Sequence, residues 1–192
     1  MQPEGEVSGS VADELMTLEQ YAAHEDTDER YVTDLVRGVL VREPRPGDLH
    51  GMMQVELGYR LREWAGARGA RVTAESGYIL EENPPTVRGP DIAVVVVPRS
   101  SEGQPGGWIR GAPDVAIEIL SPSDTSSDMQ EKTLDYLGAS ARLVWIVDPR
   151  ARTVTVYRSD GTARLLRNAD TLDGEDVLEG FSVPLPELFG AA

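Results

Sequence analysis

Two runs in the middle of the chain begin alike and then diverge. Pro90-Asp91-Ile92-Ala93-Val94-Val95-Val96-Val97 and Pro113-Asp114-Val115-Ala116-Ile117-Glu118-Ile119-Leu120 both open on Pro-Asp, and the second carries Glu118 where the first has Val95. Both runs are apolar, rich in β-branched residues and bounded by Pro and Gly, so they read as strands buried on both faces. A carboxylate in such a strand is costly unless the fold supplies a partner. The chain must therefore fold so that something answers Glu118.

The direction of the strand pair decides what that partner is. In a parallel pair Asp91 sits beside Asp114, and Glu118 lies about 13 Å away at ~3.3 Å per residue. In an antiparallel meander the start of the first strand meets the end of the second, and Asp91 comes to Glu118. Alternation puts Asp114, Ala116 and Glu118 on one face, so that register makes a one-sided acidic cluster. Two carboxylates this close raise one another's pKa unless a cation lies between them. Hard oxygen donors suit Mg²⁺, with Mn²⁺ as the alternative.

The segment after Glu118, Ser121-Pro122-Ser123-Asp124-Thr125-Ser126-Ser127-Asp128, is rich in helix-capping residues and introduces a helix to about Gly138. Its apolar stripe is Met129, Thr133, Tyr136 and Leu137, and Lys132 falls on that stripe, pointing toward the sheet. Leu143 to Val147 is a further buried strand, so strand, helix and strand form a right-handed parallel crossover. Two acids, a divalent cation and a lysine suffice for metal-assisted phosphodiester hydrolysis.

Upstream, Thr17 caps a short helix, Glu25–Arg30 is a charged loop, and Tyr31 to Val41 gives two strands about an Arg37-Gly38 turn. A helix starting near Asp48 carries Leu49, Met52, Met53, Leu57, Leu61 and Trp64 at helical spacing, with His50 beside this stripe. Val72 to Leu80 reads as one strand containing Gly77, followed by a Pro-containing loop to Arg88-Gly89. Arg99 to Ala112 reads as a Gly-, Pro- and Ser-rich mobile loop. Downstream come an alternating strand from Thr153 to Tyr157, a hairpin turn at Asp160-Gly161, and a closing strand with a short helical anchor through Phe189. Residues 1–14 read as a disordered tail, leaving one domain over residues 15–190.

Composition bounds the function classes. The chain has 192 residues, no cysteine and a net charge of −15. Disulfides and thiolate metal sites are excluded. The sequence shows neither a membrane-length apolar run nor a signal pattern, so no membrane role and a cytoplasmic location are expected. The negative charge repels nucleic acid at long range, although a bound cation can override that locally.

In order along the chain, Asp34-Leu35-Val36-Arg37-Gly38, His50-Gly51, Gly89-Pro90-Asp91, Pro113 to Ser123, Lys132-Thr133-Leu134-Asp135-Tyr136 and Val144-Trp145-Ile146-Val147-Asp148-Pro149 resemble the Uma-type restriction endonuclease family. That family belongs to the PD-(D/E)XK nuclease superfamily, and the resemblance runs from about Thr17 to Phe189. It implies a mixed α/β, restriction endonuclease-like fold: a central mixed sheet with an antiparallel meander, a crossover helix and flanking helices. It further implies Asp91, Glu118 and the main-chain carbonyl of Ile119 as metal ligands, Lys132 as the catalytic lysine, and Asp34 and His50 as auxiliary residues. DNA is the implied substrate, 5′-phosphate and 3′-hydroxyl ends the products, and a homodimer the assembly. One departure stands out: the superfamily's lysine lies two residues after the glutamate, where this chain has Leu120, and Lys132 is the replacement.

Plainer readings stand beside these. Pro-Asp is ordinary turn chemistry, and Asp114 has the same local context as Asp91 without a catalytic partner. Glu118 could pair with an internal arginine, and Lys132 could extend its head to solvent. His50 reads first as a helix-start residue packed on the early strands, and Glu56 and Glu75 as solvated or edge residues. A second functional reading keeps the fold without catalysis, as an interaction or regulatory module. The acidic balance favours it, whereas retention of both acids and the lysine favours the enzyme.

Overall fold

The structure is a computed structural model that describes residues 15–190. The tail expected at residues 1–14 lies outside the described residues. Helix α1 (Leu18–Ala22) opens on a capping box in which Thr17 and Gln20 each accept from the other's backbone N–H. Strands β1 (Tyr31–Val36) and β2 (Val39–Pro44) form the expected hairpin, with Arg37 and Gly38 both at positive φ, as a two-residue hairpin turn requires.

Helix α2 (Asp48–Gly66) buries His50, Met53, Leu57, Leu61, Trp64 and Ala65. The expected stripe is rotated: Leu49 and Met52 are exposed, and His50 takes their place on the inner face. The single strand expected from Val72 to Leu80 is two strands in different sheets, β3 (Arg71–Thr73) and β4 (Tyr78–Glu82). Glu75 at positive φ breaks the run, and Gly77 lets the Trp108 ring approach to where a side chain would stand.

The expected loop to Arg88 contains β5 (Pro85–Arg88), followed by β6 (Ile92–Val95). The segment from Arg99 to Ala112 is not structureless. It holds a short 3₁₀ turn and β7 (Ile109–Arg110), which pairs in parallel with β4. Then come β8 (Val115–Ile119), α3 (Ser126–Gly138), β9 (Leu143–Asp148), β10 (Thr153–Arg158), β11 (Ala163–Arg167), β12 (Thr171–Asp173), β13 (Ser182–Pro184) and α4 (Leu185–Leu188).

The strands make two mixed sheets rather than one. The early sheet runs β2-β1-β5-β4-β7 and the later one β11-β10-β9-β8-β6-β3, with β12 and β13 as a separate ribbon. Strands β6 and β8 are antiparallel, and β8 and β9 are parallel across α3.

Side-chain alternation divides the later sheet between two cores. Ile92, Val94, Val115, Ile117 and Ile119 pack with Leu57, Leu61 and Trp64 of α2. On the opposite face, Ala116, Val144 and Ile146 meet Met129 and Tyr136 of α3, while Ala93 and Val95 meet Tyr78 and Ile109 of the early sheet. Glu118 shares its face with Ala116. It is therefore directed between the two sheets and α3.

Candidate active site

The two Pro-Asp motifs do the same local job at opposite ends of the β6–β8 pair. The paired residues are Ile92 with Ile117, Ala93 with Ala116 and Val94 with Val115. One step further along this register, Asp91 stands opposite Glu118. Asp91 Oδ2 accepts the Ile119 N–H at 2.6 Å, and Asp114 Oδ2 accepts the Val96 N–H at 2.8 Å. Each carboxylate satisfies the N–H lying just past the last ladder pair, which explains the near-repeat as a structural device.

Surroundings distinguish the two ends. His50 Nε2 lies 3.0 Å from Asp91 Oδ2, and Gln54 donates to the Asp91 carbonyl and to Glu75 Oε1, both at 2.9 Å. Glu118 is 4% exposed and accepts from the Tyr136 hydroxyl at 2.7 Å and from Lys132 Nζ at 3.1 Å. Lys132 also donates to Glu43 Oε2 at 2.8 Å. Asp34 accepts the Gly89 N–H at 3.3 Å and lies 3.5 Å from Arg88, which pairs with Asp135 at 2.7 Å.

These groups surround a narrow cavity of about 50 Å³, room for a few water-sized species. Six acids line it: Asp34, Glu43, Glu75, Asp91, Glu118 and Asp124, together with His50 and Lys132. The early hairpin supplies Asp34 and Glu43, the strand pair Asp91 and Glu118, and α3 Lys132.

Negative charge exceeds positive in this cavity, and the titration properties follow. Burial pushes the Glu118 carboxyl up, the Lys132 ammonium pulls it down, and the Asp91 charge pushes it up again. Burial likewise raises Asp34 to about 6, against Lys132 and Arg88 and with Glu43. Glu75 is raised by burial and by the Asp91 charge. For Lys132, burial opposes the ammonium, but Glu118, Glu43 and Asp34 outweigh it and hold the amine protonated. His50 behaves in the same way: burial lowers its pKa, and the hydrogen bond and charge of Asp91 more than reverse this.

This donor set fits a hard divalent cation. Ile119 directs its N–H at Asp91, and in extended backbone its carbonyl points to the same side. Among the described residues no three His, Cys, Asp or Glu side chains form a ready-made metal cage. Mg²⁺ does not need one, since it commonly keeps several waters and takes one or two carboxylates.

A family model described as "Uma2: Putative restriction endonuclease" matches residues 13–186. The chain belongs to the Uma2 family. No curated protein matches the chain. Among solved structures, a crystal structure described as "a putative nuclease belonging to DUF820" from Anabaena variabilis matches with a TM-score of 0.78 at 23% identity. The match covers 91% of this chain and 97% of that one. The family supports a nuclease with a nucleic acid substrate, and the solved structure shows that the mixed α/β, restriction endonuclease-like fold is shared. No described helix is long and apolar enough to cross a membrane.

In this Uma2 chain the sequence candidates Asp34, His50, Asp91, Glu118 and Lys132 all line one cavity, with Ile119 at its edge. Glu75 is not a plain edge residue; it faces the same cavity. Sequence reasoning missed Glu43, Gln54 and the role of Tyr136 as the hydrogen-bond donor to Glu118. Tyr136 sits one turn after Lys132 on the buried face of α3, so that spacing was a usable signal. A second signal was compositional: Lys132 is the only lysine in the chain.

Proposed function

We propose that the protein is a divalent-metal-dependent endonuclease that hydrolyses phosphodiester bonds of nucleic acid, with DNA as the first substrate to test. The observation that carries this reading is the meeting of Asp91, Glu118 and Lys132, from two strands and a helix, around one acidic cavity. Asp91, Glu118 and the Ile119 carbonyl are the groups that would hold Mg²⁺ or Mn²⁺. When bound, the cation would supply Lewis-acid stabilisation of a phosphoryl oxygen and favour ionisation of water.

The chain's own groups perform the remaining tasks. Tyr136 and Lys132 fix the two oxygens of Glu118, so the carboxylate is held in one orientation before substrate arrives. The Lys132 ammonium is the one lysine charge available to orient an attacking water or offset negative charge developing at phosphorus. His50, through Asp91 Oδ2, holds the other carboxylate from α2. In the overall reaction water adds to phosphorus, the P–O3′ bond breaks, and the leaving 3′ oxygen takes a proton.

The test is cleavage of supercoiled plasmid, linear duplex, single-stranded DNA and RNA with Mg²⁺, with Mn²⁺ and with chelator. Metal-dependent cleavage by the wild type, lost in Glu118→Gln and Lys132→Met, is the expected result. Absence of cleavage with either metal, or cleavage unchanged in Glu118→Gln, overturns the proposal and leaves a non-catalytic module of the same fold.

A further inference from the structure

Helix α2 does more than pack on the later sheet. Its outer face carries Met52, Val55 and Tyr59, exposed at 62%, 73% and 59%. Asp48 and Arg62, both exposed, extend the same stripe at its two ends. The positions 48, 52, 55, 59 and 62 repeat at alternating steps of four and three, the spacing of a seam that faces another helix. A solvated helix face would be expected to carry polar residues there.

A homodimer is what the family resemblance implies; we propose that its interface is this face, with two copies of α2 packed antiparallel about a two-fold axis at Val55. One charge pair favours a second copy in that direction. Asp48 lies seven residues before Val55 and Arg62 seven residues after it. A two-fold axis at Val55 therefore sets each Asp48 against the partner's Arg62, twice over, whereas a parallel pair would set like against like. The same register lays Tyr59 over Gly51 of the second copy, and Gly51 has open space where a side chain would stand.

An apolar groove of about 560 Å³ adjoins the stripe, lined by Leu49, Met53, Leu188 and Phe189 among others. It widens the apolar surface beyond one helix, toward the ~800 Å² per partner of a stable interface. This inference is independent of the nuclease reading, because α2 reaches the candidate site from its other side, where His50 and Gln54 bond to Asp91.

The chain's lack of cysteine makes the test direct. Val55→Cys should form a disulfide-linked dimer under mild air oxidation, since residues on the axis of a helix pair come within disulfide reach. Leu134→Cys, on α3 and 61% exposed, should not. In sedimentation equilibrium the wild type should dimerise, and Val55→Glu should raise the dissociation constant at least about tenfold while the circular dichroism spectrum is kept. Asp48→Arg and Arg62→Asp should each weaken the dimer, and the double variant should restore it. A wild type that stays monomeric at ~100 µM, equal crosslinking of both cysteine variants, or no rescue by the double swap overturns the proposal. Cleavage plays no part in these measurements, so either reading can fail alone.

Discussion

Replacing Lys132 with Met tests the charge logic of the cavity. Lys132 is 6% exposed, and its amine lies 3.1 Å from Glu118 and 2.8 Å from Glu43. Methionine fills much of the volume but removes the charge. The Glu43 side chain is 34% exposed and can rehydrate, whereas Glu118 at 5% cannot. If Glu118 stays ionised, breaking the buried pair costs about 3–5 kcal/mol. Taking up a proton at pH 7, from an unfolded-state pKa of about 4.3, costs about 3.7 kcal/mol at 1.36 kcal/mol per unit. Protonation therefore caps the loss at about 3.7 kcal/mol, less whatever proton Glu118 already binds in the wild type.

The sign of the pH dependence follows. The folded variant holds a proton that the unfolded chain releases above about pH 4.3, so its stability falls as pH rises from there until folded Glu118 itself titrates. At pH 5 the cap is only about 1 kcal/mol. The assay is urea denaturation followed by circular dichroism in chelator at pH 5 and pH 7, on wild type, Lys132→Met, Glu118→Gln and the double variant. The double variant should be more stable than Lys132→Met at pH 7, and that gap should narrow toward pH 5. A gap that does not change with pH, or strict additivity of the two substitutions, would refute the argument.

Three further outcomes follow from the same geometry. Asp91→Asn keeps an oxygen for the Ile119 N–H but loses the charge, so its melting temperature should stay within a few degrees while cleavage falls about 10²-fold or more; Asp114→Asn, the equivalent change at the far end, should leave cleavage intact. Mg²⁺ at about a hundred times its dissociation constant should stabilise the wild type by about 2.7 kcal/mol in thermal melts, and Glu118→Gln should abolish that gain. Gly77→Ala drives a Cβ into the Trp108 ring, so chemical denaturation should show a loss of about 1–3 kcal/mol with the site residues unchanged.

How much of this was legible in the sequence depends on how local each cause is. The β6–β8 pair could be read because β-branched runs, Pro-Asp boundaries and side-chain alternation are properties of short segments. The same holds for α3, whose caps and stripe placed Lys132 inward. The strand expected from Val72 to Leu80 failed for a non-local reason: Gly77 is there for the approaching Trp108 ring, and the chain changes sheets on either side of it. The α2 stripe failed similarly. Apolar Leu49 and Met52 were read as core, yet burial went to His50 because Asp91 waits on that side with a carboxylate.

The sequence by itself determined that Glu118 sits in a buried strand and must be answered by a partner, since an unpaired carboxylate there is too costly to leave. Only the tertiary structure decided that β6 and β8 run antiparallel, which sets Asp91 opposite Glu118, and how the need of that pair is shared. Glu43, Glu75 and Gln54 come from β2, the β3–β4 connection and α2, and no spacing along the chain brings them together. Their convergence depends on packing the hairpin sheet and α2 against the strand pair. That packing leaves one lysine among six acids, an excess of negative charge that a divalent cation would balance.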